Sequence, residues 1–469
     1  MLRDSLALQQ QDLPPAPKLR QLIGPSFIIL GLGLGSGEVV LWPYMASNYG
    51  LGIMWGMVIG ITMQFFINME VERYALINGE SVFVGFTRLL KWLPLWFIAS
   101  TFLGFGWPGI GLFGATLLSE VFKIGEPRII GIAVFLLIGI ILSVGKVLYK
   151  TVETLQKYVI GIGVPFIVVL TYSLIDVSDI SALLKGLVGQ GMTASGEAFS
   201  FLPAGMAMGT FLGALAYAGA GGNLNLAQSC YVRDKGYGMG AYAQKITSLF
   251  SSKEHTAFRL SGSTFPATPE NLRRFSVWWK LINTEHLIVF WALGLFTMLT
   301  LSLLAYSTTF GTEGNEQGIA FVINETSSIA AQTLPVFGTL FLLVAGIMLC
   351  ATQLTVLDST SRIITENILL LSRRSSANVS RVYYAVLWTQ IVFGIGVFTI
   401  GFDQPLALIV LGAIINAFSM FVYTGIMLWL NNTSLQGALR PALWRNLVMV
   451  ATFLFLGFFC AVTLLNAVR

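Results

Sequence analysis

Long apolar runs alternate with short polar stretches along the whole chain. Eleven runs stand out, at 22–47, 52–76, 94–121, 128–145, 155–176, 204–231, 283–308, 335–366, 383–402, 404–430 and 443–467. Each is close to the ~20 residues that a membrane-spanning helix needs. The ends of the second, fifth and eighth runs are amphipathic and are expected to project beyond the bilayer. The longest polar stretch, Arg233 to Lys280, holds Pro266 and Pro269. It closes on Phe275-Ser276-Val277-Trp278-Trp279-Lys280, a sequence suited to the headgroup level. The stretches 178–202 and 312–333 each have room for a short helix. The pattern predicts an all-α, polytopic membrane protein of eleven transmembrane helices.

Charge orients these helices. Of the 27 Lys and Arg, only Lys123, Arg128, Lys185 and Arg469 fall on the side opposite the N-terminus. Basic loops stay in the cytoplasm, so the N-terminus is expected inside and the C-terminus outside, in the cell (inner) membrane. Asp176, Asp179, Glu197, Glu313, Glu316, Glu325 and Asp403 collect on the outer side. Charged residues make up 10% of the chain and hydrophobic ones 55%. Soluble domains carry about 25% charged residues, so a soluble enzyme, a disordered protein and a nucleic-acid-binding module are excluded. The net charge of +5 follows from membrane orientation and implies no nucleic-acid partner. Cys230, Cys350 and Cys460 have no metal or disulfide spacing and read as small hydrophobes. Gly109 to Gly114 matches GxGxxG but lies inside an apolar run, without the strand a dinucleotide site requires. His255 and His286 sit in or beside the basic loop at no metal-binding spacing and read as surface or interfacial residues. No hydrolase or nucleotide motif is present, and a non-enzyme is expected.

Two runs are interrupted. The first contains Gly31-Leu32-Gly33-Leu34-Gly35-Ser36-Gly37-Glu38, and the sixth contains Gly219-Ala220-Gly221-Gly222-Asn223-Leu224-Asn225. Glycine costs roughly 1 kcal/mol against alanine inside a helix. Clustered glycines unwind a spanning helix where the freed backbone meets an ion, water or protein. Five spans separate the two clusters, so they belong to repeats of opposite topology. Matched interruptions of that kind point to a midplane binding site in a transporter; close packing of small residues against a neighbouring helix is the other reading. Glu38 is the one carboxylate that the pattern places deep in a span, where an ionised group needs a partner, water or a bound cation.

At these residues the chain resembles the Nramp family of divalent-metal transporters. Gly24-Pro25-Ser26-Phe27, Tyr49-Gly50 and Glu72-Arg73-Tyr74 to Asn78-Gly79-Glu80 resemble that family's first two helices. Asn223 to Ser229 resembles its sixth helix, and Leu343 to Gln353 its eighth. The resemblance implies a leucine-transporter-type 5+5 inverted repeat plus one helix, working by alternating access. It divides the chain into a cytoplasmic tail (1–21), a first repeat (22–176), an extracellular loop (177–203), a second repeat (204–430) with the cytoplasmic loop 233–280, and a final helix (431–469). The family's Asp-Pro-Gly-Asn is here Gly35-Ser36-Gly37-Glu38, and its Met-Pro-His-Asn is Ala220-Gly221-Gly222-Asn223. The soft and carboxylate ligands that transition metals favour are mostly gone, and no acid stands between Phe102 and Leu118.

The substrate site is therefore expected at Gly35, Ser36, Gly37, Ala220, Gly221, Gly222, Asn223 and Asn225. A coupling-ion or metal site is expected at Glu38, Thr352, Gln353, Thr355 and Asn416. Helix N-termini and amide donors suit a small inorganic anion. The leading expectation is Na⁺-coupled uptake of an anion such as bicarbonate; the alternative is a divalent cation, Mg²⁺ or Mn²⁺, held with part of its water. No cofactor beyond a possible coupling Na⁺ is expected. The expected partners are the ion and the lipid bilayer, and the chain is expected to be monomeric.

Overall fold

The computed structural model describes residues 7–17, 24–144, 148–244, 260–315, 319–372, 379–401 and 404–468. Ahead of the first run, β1 (Gln9–Gln10) leads into a docked segment whose Leu13 is fully buried. The first run forms α1 (Pro25–Gly33), a wide π-helical stretch over Leu34–Leu41, and α2 (Trp42–Tyr49), all in one continuous rod. Next come α3 (Met54–Asn78) and the short α4 (Val82–Leu89). The third run is interrupted at Gly106-Trp107-Pro108, giving α5 (Leu93–Phe105) and α6 (Gly109–Phe122); Pro108 has no N–H to continue the ladder. The helices α7 (Pro127–Val144) and α8 (Leu148–Leu174) follow.

The connection after α8 carries α9 (Val177–Gly186) and the antiparallel pair β2 (Gln190–Met192) and β3 (Ala198–Ser200). Asp176 caps α9, accepting from the Ser178 and Asp179 N–H groups while Asp179 reaches back to the Asp176 N–H. The sixth run is two short helices, α10 (Met208–Ala216) and α11 (Leu224–Lys235). The strand β4 (Ser263–Thr264) pairs in parallel with β1. Then come α12 (Pro269–His286), a second π stretch over Leu287–Leu293, and α13 (Gly294–Thr309). The remaining helices are α14 (Ala320–Gln332), α15 (Pro335–Ser372), α16 (Val379–Ile400), α17 (Pro405–Ser434) and α18 (Leu443–Val468). Ten helical stretches among the described residues are long and apolar enough to cross a membrane. The expected span at 204–231 is the interrupted pair, neither half of which is long enough alone.

Three expectations are corrected at the basic end. The polar stretch 233–280 is not loop throughout: its last part is the helix α12, continuous with the seventh span. Phe275 and Trp278 are buried there, and the Trp278 indole donates to the Pro14 carbonyl at 2.8 Å. They pack on protein, where headgroup anchoring was expected. The charges at the amphipathic ends of the second and eighth runs are buried in ion pairs. Glu70 accepts from Arg73 at 2.8 Å and Arg445 at 2.6 Å, and both arginines lie over the Trp279 ring. Arg362 pairs with Asp358 at 3.0 Å and with Asp234, and Arg233 pairs with Glu366 at 3.1 Å. Buried charges persist only when partnered, and these partners lie far apart in the chain, so hydropathy along one helix cannot reveal them. His286 is likewise fully buried, and so is Glu325 on α14.

Candidate functional site

The seven residues between α10 and α11 leave the helical ladder. Gly221 (φ 74°) and Gly222 (φ 46°) take left-handed backbone there, a region that side chains disfavour. The carbonyls freed at the end of α10 do not remain bare. The Gln64 amide on α3 donates to the Leu215 and Ala216 carbonyls at 3.3 and 2.9 Å, and its oxygen accepts from the Gly221 N–H at 3.0 Å. One buried side chain thus takes over the backbone bonds of the interrupted helix, as a nonpolar environment requires.

The first glycine cluster behaves differently, which corrects the expectation of two unwound helices. Its rod stays helical through Leu34–Leu41 in wide π turns, a form often found at functional sites. The glycines serve close approach instead. Gly33 lies against the Gly219 backbone, Gly37 against the Tyr217 carbonyl, Gly35 against Thr352 and Gly31 against Gln156; a Cβ on Gly33 would stand 3.0 Å from the Gly219 backbone. A Cβ at any of these four positions meets an occupied space, so small size keeps the rod flush against the interrupted helix.

Around the interruption the asparagines are fully buried. Asn223 donates to the Ser100 hydroxyl at 2.7 Å and the Thr101 hydroxyl at 2.9 Å. Asn225 donates to Tyr423 at 3.0 Å and Gln64 at 3.2 Å. Asn416 donates to the Tyr217 hydroxyl at 3.0 Å and the Gly104 carbonyl at 3.1 Å. The Leu224, Asn225 and Leu226 N–H groups close turns onto the Gly221, Gly222 and Asn223 carbonyls. The amide oxygens of Asn223, Asn225 and Asn416 have no hydrogen-bond partner among the described residues. The side-chain amide donors at this site are engaged, and their amide oxygens are without partners among the described residues.

The other expected residues divide. Ala220 is buried within the interruption, and the side chain of Ser36 lies outside the described residues. Glu38 is buried in the π stretch, turned toward α13, where the Thr297 hydroxyl donates to it. No basic side chain lies within ion-pair distance of Glu38 among the described residues. Thr352 donates to the Gly31 carbonyl at 2.8 Å and so joins α15 to α1. Gln353 is engaged elsewhere, accepting from the Gly111 N–H at 2.9 Å near the start of α6. Thr355 bonds the Ala351 carbonyl of its own helix at 3.0 Å and accepts from Gln156. Gln64, Tyr217, Tyr423 and Thr297 were not expected here. A polar residue inside an apolar run was the available signal for Gln64; the two tyrosines and Thr297 gave none. Gly222→Ala is expected to destabilise the protein by about 2 kcal/mol, because the new methyl meets Asn416 in left-handed backbone; melting temperature in detergent is the measurement.

No protein-family model matches the chain, and no curated protein matches it. Solved structures do. A mutant of the Eremococcus coleocola manganese transporter superposes with a TM-score of 0.67, covering 97% of this chain and 89% of that chain at 11% identity. The same transporter in complex with an aromatic bis-isothiourea compound gives 0.66, with 97% and 90% covered at 11% identity. MhsT in complex with L-phenylalanine gives 0.50, with 98% and 100% covered at 15% identity. With its apolar spans and its interrupted sixth helix, the chain is a multi-pass membrane protein with the leucine-transporter-type fold.

Proposed function

We propose that the chain is a secondary active transporter working by alternating access, and that its cargo is a hard divalent cation, Mg²⁺ before Mn²⁺, taken with part of its water shell. One observation carries the choice: at the interruption the asparagine side-chain donors are spent on protein oxygens, while the Asn223, Asn225 and Asn416 oxygens have no partner among the described residues. An anion needs donors, and a hard cation needs oxygens. In this reading Glu38, on the rod that packs against the interruption through Gly33 and Gly37, supplies the negative charge, and Mg²⁺ keeps several waters and needs only one or two carboxylates. The missing Met and Asp ligands argue against a soft-metal preference. The charge pattern supports an N-terminus in the cytoplasm.

The test is a proteoliposome assay of Mg²⁺ and Mn²⁺ uptake beside bicarbonate-driven internal pH change, each with and without a Na⁺ gradient. Saturable Mg²⁺ uptake, reduced about tenfold or more by Asn223→Ala, is expected. Na⁺-dependent alkalinisation by bicarbonate, with no divalent flux, would instead make the anion the cargo and Glu38 the holder of the coupling cation.

A further inference from the structure

A second buried polar cluster sits at the basic end, away from the interruption. It joins the start of the first rod to α3, α11 and α12. The Gly24 N–H donates to Glu285 at 3.3 Å, and the Ser26 hydroxyl donates to the other Glu285 oxygen. Ser26 Oγ is also 2.8 Å from His286 Nδ1, which stands 3.8 Å from Glu72 Oε1. The Gln228 amide donates to Glu72. The imidazole is stacked between Phe65 and Phe290, with ring centroids 5.5 and 4.6 Å away. Glu72, Glu285 and His286 are all at most 3% exposed. Three atoms in the cluster lack partners among the described residues: Glu72 Oε2, His286 Nε2 and Gln228 Oε1.

Ser26 has one hydroxyl proton. When it goes to Glu285, His286 must donate from Nδ1, which leaves a bare lone pair at Nε2 and matches the missing partner there. Binding one more proton reverses the chain: Glu285 donates to Ser26, Ser26 donates to Nδ1, and the imidazole carries its own proton on Nε2. The surrounding charges ask for one extra proton. From α8 come Glu153, Lys157 and Tyr149, from α11 comes Lys235, and Tyr237 follows it. Glu153 pairs with Lys157 at 2.6 Å and Lys235 at 2.8 Å. Among the described residues that leaves one net positive charge against two buried carboxylates. No group of three His, Cys, Asp or Glu side chains among the described residues is arranged to hold a metal ion.

We propose that Glu72, Glu285 and His286 form a proton-binding latch: one shared proton keeps the start of the first rod docked on α12, and its loss lets that end swing free. Without the proton, two uncompensated carboxylates face each other in a dry site, and hydration relieves them only if the rod moves away. Because the docked form binds the proton more tightly, acid favours docking and alkali favours opening. The latch rests on the fold and is independent of which ion is the cargo.

Ile29 is fully buried on the first rod, one turn beyond Ser26, and Ile29→Cys reports opening. In protein retaining only that cysteine, with Cys230→Ala, Cys350→Ala and Cys460→Ala, its labelling rate by a soluble maleimide is divided at each pH by the rate for the unfolded chain. This removes the thiol's own pH dependence. The ratio is expected to rise about tenfold between roughly pH 5.5 and 8.5. Glu72→Gln, Glu285→Gln and His286→Gln are each expected to flatten that rise to within about twofold. A variant that does not fold gives a ratio near one at every pH, and the others then carry the comparison. A flat profile in the parent protein, or an unchanged slope in the folded variants, overturns the latch.

Discussion

Replacing Glu38 by Gln is expected to remove transport while making the protein more stable. The carboxylate is buried in the π stretch, with the Thr297 hydroxyl as its donor and no basic side chain in ion-pair range among the described residues. A charge held that way opposes folding, and a neutral group of the same shape relieves it by about 1–3 kcal/mol. The Gln amide oxygen still accepts from Thr297, so the packing is retained. Loss of the negative charge weakens a divalent cation by roughly 3 kcal/mol, or about 100-fold. Melting temperature in detergent should therefore rise while Mg²⁺ flux in liposomes collapses. If both fall together, Glu38 is a structural group and the proposed cation site is wrong.

Gln64→Leu should show the opposite pattern, a large loss of stability. Gln64 satisfies the Ala216 carbonyl and the Gly221 N–H, shares the Leu215 carbonyl with the Ala218 N–H, and also receives Asn225. Leucine fills similar space but leaves the Ala216 carbonyl, the Gly221 N–H and one Asn225 donor hydrogen without these partners. Each buried orphan costs about 1–3 kcal/mol, so a total of about 3–5 kcal/mol is expected, with the larger values at the exceptional end for single substitutions. Thr300→Val on α13 is the control. Its hydroxyl bonds only its own helix, at the Phe296 carbonyl, and stability should change by less than about 0.5 kcal/mol. Equal losses in the two variants would mean that the interruption is held by something other than Gln64.

Both predictions depend on features that a one-dimensional reading treats unequally. Glu38 was visible because a carboxylate in an apolar run is conspicuous. Gln64 was equally polar in an equally apolar run, but nothing along α3 says that its partners lie about 150 residues away on α10. The two glycine clusters looked alike in the sequence and became different structures. In the sixth run Gly221 and Gly222 turn left-handed, and Gln64 accepts the freed backbone. In the first run the helix persists in π turns, and its glycines only thin one face. The buried charges of α3, α11 and α15 escaped for the same reason as Gln64. An isolated Arg362 or Glu366 near the end of a span reads as a solvated terminus until its partner is placed beside it.

By itself, the order of apolar and polar residues determined that this chain is helical, crosses a membrane many times and carries its basic loops on one side, because the cost of placing peptide groups and charges in hydrocarbon is set residue by residue. It also marked Gly219 to Asn225 as a place where a helix is interrupted. Only the tertiary structure decided which glycines unwind and which merely pack. It alone decided which asparagine oxygens remain open, and that Ser26, Glu72, Glu285 and His286 meet. Those outcomes turn on hydrogen bonds between helices far apart in sequence, and such bonds exist only once the bundle has closed around them.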